Sequence, residues 1–255
     1  MLYAVRAWVP FLVDTASYAV ALMTLSRVRT DLRPQPREGR PTRPFEQVKE
    51  GYRFIWGKPF FRTMLIWSGA CNLLVNACFF VVVMRLIRGH YPAAQIGLVS
   101  TAAGVGGILG SLVAPYVIER TRTGTLTVVV AWMCVLPLVP LVWWATPLGT
   151  CVSVFLLLLL NPSGNAGIAS YRAAITPDDL QGRTGSAMSF VSFGVMPLAP
   201  LAGGWLLTAL GGSGAVAVLV VTTGLAALVP TLSPHIRSVP RPAEWRAELD
   251  PAVST

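Results

Sequence analysis

Long apolar runs separated by short polar segments dominate this chain. The runs are Trp8–Ser26, about Thr63–Met84, about Ile96–Ile118, about Leu126–Ala145, about Leu148–Ala169, about Gly185–Leu210 and about Val216–Leu232. Each approaches the roughly 20 residues that a helix needs to cross the hydrocarbon of a bilayer. Backbone N–H and C=O groups find no water there, so a spanning run must satisfy them internally as a helix. The pattern predicts an all-α fold, a polytopic membrane helix bundle of about seven transmembrane helices. Pro137 and Pro140 fall inside the fourth run, a placement that neighbouring helices tolerate.

The polar segments set the boundaries. Residues 1–28 form a lone transmembrane helix, and 29–62 a basic cytoplasmic linker with an amphipathic helix over Phe45–Trp56. Residues 63–232 form six helices, and 233–255 a polar, proline-containing, mobile tail. Charged residues make up 12% of the chain, against about 25% in a soluble domain, and they are confined to these few segments. Seven crossings put the termini on opposite sides. All Lys and Arg other than Arg6, Arg85 and Arg88 then fall on one side, which the positive-inside rule assigns to the cytoplasm. The expected location is the cell (inner or plasma) membrane, with the N-terminus outside and the C-terminus cytoplasmic. The net charge of +9 therefore reports topology and contact with lipid headgroups. It does not point to nucleic acid.

Candidate chemistry is sparse. Small residues recur every four positions in the third run, at Ala102, Gly106, Gly110 and Ala114. Such a stripe lets a facing helix approach closely and reads as helix packing. Polar groups inside apolar runs are costly and mark functional candidates. Asp14 is the only carboxylate well inside such a run and is the coupling or substrate candidate. Asn72 and Asn76 are spaced i, i+4, as are Asn161 and Asn165 beside Pro162 and Gly164. Either interhelical hydrogen bonding or contact with a ligand in a cavity accounts for both pairs. In the sixth run Ser186, Ser189 and Ser192 recur every third position, ahead of Pro197, Pro200, Gly203 and Gly204, which make that helix bendable. Cys71, Cys78, Cys134 and Cys151 all lie in apolar runs without metal-ligand spacing. No catalytic constellation, metal site or cofactor motif is present, so an enzyme is not expected.

Three stretches carry a resemblance. PFLVDTASYAVALMTLSRVR (Pro10–Arg29), EQVKEGYRFIWGKPFFRTMLI (Glu46–Ile66), and YRAAITPDDLQGRTGSAMSF with PLAPLAGGWL (Tyr171–Leu206) resemble parts of the major facilitator superfamily. They are similar to its sixth helix, its central-loop helix with the start of helix seven, and its eleventh helix. The similarity is to the bacterial exporter branch that includes the enterobactin exporter, macrolide-efflux and transmembrane secretion effector proteins. It implies helices six to twelve, with the first five helices absent. It further implies proton-coupled export of a small hydrophobic or amphipathic molecule, drug-like or siderophore-like, by alternating access between two halves. Cavity-facing candidates are then Asn72, Asn76, Asn161, Asn165 and Ser189. Glu119, Arg120 and Arg183 are candidates for a cytoplasmic gate. The family's loop signature survives only as Glu119–Arg120, and Gln181 precedes Gly182 and Arg183 where the family usually has Arg. Implied partners are the lipid bilayer, a small-molecule substrate, and a missing N-terminal half or a second copy. The alternative reading is a non-transporting membrane interaction protein or one half of a split transporter.

Overall fold

The computed structural model describes residues 9–27 and 44–249, and it divides into two units, residues 1–42 and 43–255. The first part of the expected basic linker, 29–43, lies outside the described residues. All regular structure among the described residues is helical.

The first unit contributes one helix, α1 (Val9–Ser26). Its length is about 27 Å at 1.5 Å per residue, close to the thickness of bilayer hydrocarbon. Its hydroxyls turn back onto its own backbone: Thr15 donates to the Phe11 carbonyl and Ser17 to the Asp14 carbonyl, both at 2.7 Å. Back-bonding of this kind lets polar side chains sit within an apolar helix.

The second unit begins with α2 (Pro44–Gly57) and α3 (Pro59–Arg88), followed by α4 (Ala93–Arg120). Next come α5 (Thr123–Met133), continued by a 3-10 turn at Leu136–Val142, then α6 (Pro147–Leu159) and α7 (Asn161–Ile175). The bundle closes with α8 (Asp178–Gly194) and α9 (Leu198–Leu232). Five stretches are long and apolar enough to cross a membrane: Pro59–Arg88, Ala93–Arg120, Thr123–Val142, Pro147–Ile175 and the 53-residue Leu180–Leu232.

The last stretch is about 80 Å of helix at 1.5 Å per residue, far more than one crossing needs. It doubles back at Gly211, whose φ of 69° and ψ of 178° suit only glycine. Gly203 lies against Ala77 and Val81, Gly212 against Arg85, and Ser233 within 3.5 Å of Thr63. The chain thus climbs along α3 to Gly211 and descends along it afterwards. Arg85 clasps this reversal, donating to the Leu141 carbonyl at 2.5 Å and to Ser213 Oγ at 3.3 Å.

Prolines set the other interruptions. Pro137 and Pro140 convert the end of the Thr123–Val142 stretch to a 3-10 turn, and Pro162 follows the break at Leu160 that separates α6 from α7. A proline has no N–H to donate to the carbonyl four residues back, so the ladder opens there.

Close packing of α4 on α6 rests on two glycines. A Cβ at Gly106 would lie 2.6 Å from the Phe155 carbonyl oxygen, and one at Gly110 would collide with that of Leu159. In the same stripe Ala114 is buried and Ala102 is half-buried.

Two segments differ from the sequence-based expectation. The amphipathic helix belongs to the second unit: Ile55 is fully buried, Phe54 stacks edge-on with Phe61 at 5.3 Å, and Gly51 abuts the Arg183 backbone. Residues 233–249 are docked rather than mobile. Short helices α10 (Pro234–Arg237) and α11 (Pro242–Leu249) are anchored by buried Ile236, Val239 and Trp245. The Thr123 and Gly124 N–H groups, at the start of α5, donate to the carbonyls of Pro240 and Val239. Three apolar side chains and two capped donors give this segment a reason to fold back.

The passes define two ends. Arg62, Arg120, Arg122, Arg172, Arg183, Arg237 and Arg241 gather at one, while Arg85 and Arg88 sit at the other.

Candidate functional site

Two adjoining cavities lie within the second unit. One, of about 340 Å³, is lined by residues that include Asn72, Asn76, Phe79, Ala103, Leu141 and Asn161. The other, of about 370 Å³, lies nearer the basic end and includes Trp67, Asn161, Asn165, Arg172, Ser189 and Phe193. Cys71, Asn72, Cys134 and Asn161 line both. The walls come from α3, α5, α7 and α8, with α4 and α6 completing the first cavity.

The local sequence explains why polar groups face this space. On α3, Ser68, Asn72 and Asn76 recur every four residues and share one face. Asn72 Nδ2 donates to the Ser68 carbonyl at 2.9 Å, and Asn76 Nδ2 to the Asn72 carbonyl at 2.7 Å. Both side-chain oxygens remain without a partner among the described residues. Asn161 and Asn165 are joined on α7, Nδ2 of Asn165 donating to Oδ1 of Asn161 at 2.7 Å. Ser68 and Ser192 bond across α3 and α8 at 2.7 Å, while Ser189 is exposed with no hydrogen-bond partner among the described residues. Asn72, Asn76, Asn161, Asn165 and Ser189 therefore all border the paired cavities.

The other candidates are dispersed. Arg183 pairs with Glu50 on α2, not with Glu119. Arg120 instead lies over the Tyr116 ring, 3.6 Å from its centroid. No hydrogen bond or ion pair among the described residues joins Glu119 and Arg120 to Arg183. Asp14 lies on α1, in the first unit.

Two contributors escaped the sequence reading. Glu50 is the partner of Arg183 across 133 residues. Arg172 counted only as a topological base, yet it lines the larger cavity. It follows Asn165 by seven residues, two helical turns, and that spacing was the available signal.

Neither lining contains Asp, Glu or His. The site therefore offers amide, hydroxyl and guanidinium contacts beside aromatic and thioether surface, and no carboxylate or imidazole base. Apolar walls with a few convergent polar groups are the usual make-up of a small-molecule site. A scan against protein-family models finds no match for this chain, and a search of curated proteins also finds none.

Proposed function

We propose that this protein is a multi-pass membrane transporter, exporting small hydrophobic or amphipathic molecules through the C-terminal half of a major-facilitator-type fold. The observation that carries the reading is the pair of asparagine-lined cavities inside an apolar bundle. Asparagine side chains are costly in hydrocarbon, and a bound molecule would engage the carbonyl oxygens that Asn72 and Asn76 leave free. In this reading α1 is a seventh crossing, and the basic end faces the cytoplasm because Lys and Arg are retained there. The polarity follows: N-terminus outside, C-terminus inside, in the plasma or inner membrane. Asp14 is the proposed proton-coupling group. The test is reconstitution of the full chain in liposomes with an imposed proton gradient and a lipophilic fluorescent dye. Gradient-dependent dye movement, reduced by Asn161→Leu, is expected; no movement above protein-free liposomes sinks autonomous transport.

A second reading is favoured by α8. Phe190 and Phe193 are 73% and 60% exposed beside exposed Ser186 and Ser189, a mixture unlike a purely lipid-facing surface. In that reading the bundle pairs with another helical half or a second copy. Mass measurement of the detergent-solubilised complex distinguishes the two: a single chain disfavours pairing.

A further inference from the structure

The larger cavity carries a cation with no ion-pair partner among the described residues. Arg172 lies in the last turn of α7, where the helix C-terminus favours positive charge. Among the described residues its side chain makes one hydrogen bond, from Nη1 to Met188 Sδ at 3.6 Å, and a thioether is a weak acceptor. No carboxylate pairs with it among the described residues, and none lines either cavity. Exposed Arg120, Arg122, Arg237 and Arg241 serve the same end of the bundle as solvated bases. Arg172 differs from them in being half-buried between the cavity and a second, polar pocket of about 70 Å³. That pocket is lined by Thr176, Gln181 and Thr184 among others. The Thr184 hydroxyl, in a residue only 1% exposed, has no hydrogen-bond partner among the described residues. Thr176 and Gln181 are already engaged, donating to the Arg172 carbonyl and to Asp178.

A guanidinium with unfilled donors and an unpartnered buried hydroxyl beside it are complementary to an anion. Part of the same cavity wall is apolar and aromatic, with Met64, Trp67, Met188 and Phe193. Resting on the transport reading above, we infer that the ligand is an amphipathic organic acid. Its carboxylate or similar anionic group is held by Arg172, and its apolar body lies along these four side chains toward Asn165 and Asn161. The substrate class thereby narrows from hydrophobic compounds in general to anionic ones.

The test uses the full chain in nanodiscs of phosphatidylcholine and three small probes of one shape: 1-naphthoate, neutral 1-naphthamide and cationic 1-naphthylmethylammonium. Calorimetric titration is expected to show naphthoate binding on the order of ten-fold tighter than the amide, the size of effect a charge-assisted pair produces. Arg172→Gln removes that preference and Arg172→Lys keeps part of it. Equal binding of acid and amide by the unaltered protein, or tighter binding of the cation, overturns anion selection while leaving the cavity as a binding site. Absence of binding by all three overturns the cavity reading itself. Because the wild-type comparison needs no variant, poor folding of Arg172→Gln does not obscure the answer. Repeating the titration in discs containing phosphatidylglycerol separates the sources of the acid. Displacement of naphthoate marks a lipid acid, and undiminished binding marks a soluble one; both keep the selection for an anion.

Discussion

Glu50 on α2 and Arg183 near the start of α8 form an ion pair, and Gly51 beside them lets α2 rest on the Arg183 backbone. The two interactions differ in expected weight. Glu50 is about half exposed, and exposed pairs contribute roughly 0.2–1 kcal/mol. Glu50→Gln is therefore expected to lower thermal stability in detergent only slightly. Gly51→Leu places side-chain atoms where even a Cβ would lie 3.0 Å from the Arg183 carbonyl oxygen, and is expected to cost about 1–3 kcal/mol. Limited proteolysis within 44–57 checks the order: cleavage should accelerate far more for Gly51→Leu.

The α4–α6 contact makes a sharper contrast. Gly110→Ala forces a methyl group into the Leu159 carbonyl, whereas nothing lies within 4 Å of a Cβ at Gly104 or Gly107. Gly110→Ala should lose about 1–3 kcal/mol through overpacking. Gly104→Ala should be neutral, or better by roughly 0.5–1 kcal/mol because alanine favours helix. Thermal denaturation of the two variants side by side decides it, and equal midpoints would contradict the packing assigned to Gly110.

Gly211 isolates backbone strain from crowding. Its surroundings are open, but its φ is positive, so Gly211→Ala is expected to cost about 1–3 kcal/mol without any clash. Arg85→Met tests the clasp over the same reversal. Losing charge-assisted hydrogen bonds, each worth a net of about 1.5–3 kcal/mol, it should loosen the Gly211–Ser213 turn. Faster labelling of a cysteine placed at Leu210, which is exposed and adjoins the turn, would register that loosening, and an unchanged rate would argue against the clasp.

Orientation is open to direct measurement. With the four native cysteines replaced, a single cysteine at His90 should react with a membrane-impermeant maleimide added to intact cells. One at Arg122 should react only after permeabilisation. The reverse pattern would invert the proposed topology.

Much of the bundle was legible because hydropathy alone limits what an apolar run can do. The breaks near Leu160 and Gly211 fell beside Pro162 and inside a Gly-Gly pair, where local chemistry announces them. The docking of 233–249 was hidden, because Ile236, Val239 and Trp245 stand among prolines with no helical period. Polarity suggested a free tail; burial of three scattered side chains is a tertiary matter. At the site, the asparagines stood out as isolated amides in apolar runs. Arg172 did not, since a base at the end of a run has an ordinary role in topology. Glu50 could not be paired with Arg183 by any local rule, given their separation.

The capping of α5 by Val239 and Pro240 bears on the order of assembly during synthesis. The first two N–H groups of that helix acquire their acceptors only after more than a hundred further residues have left the ribosome. Until then they must be satisfied by water, which keeps that end of α5 hydrated while the later helices are still being made. The bundle is thus latched by residues near the end of the described chain. A nascent chain stalled before position 239 should remain open to solvent at its basic end, however complete its apolar runs.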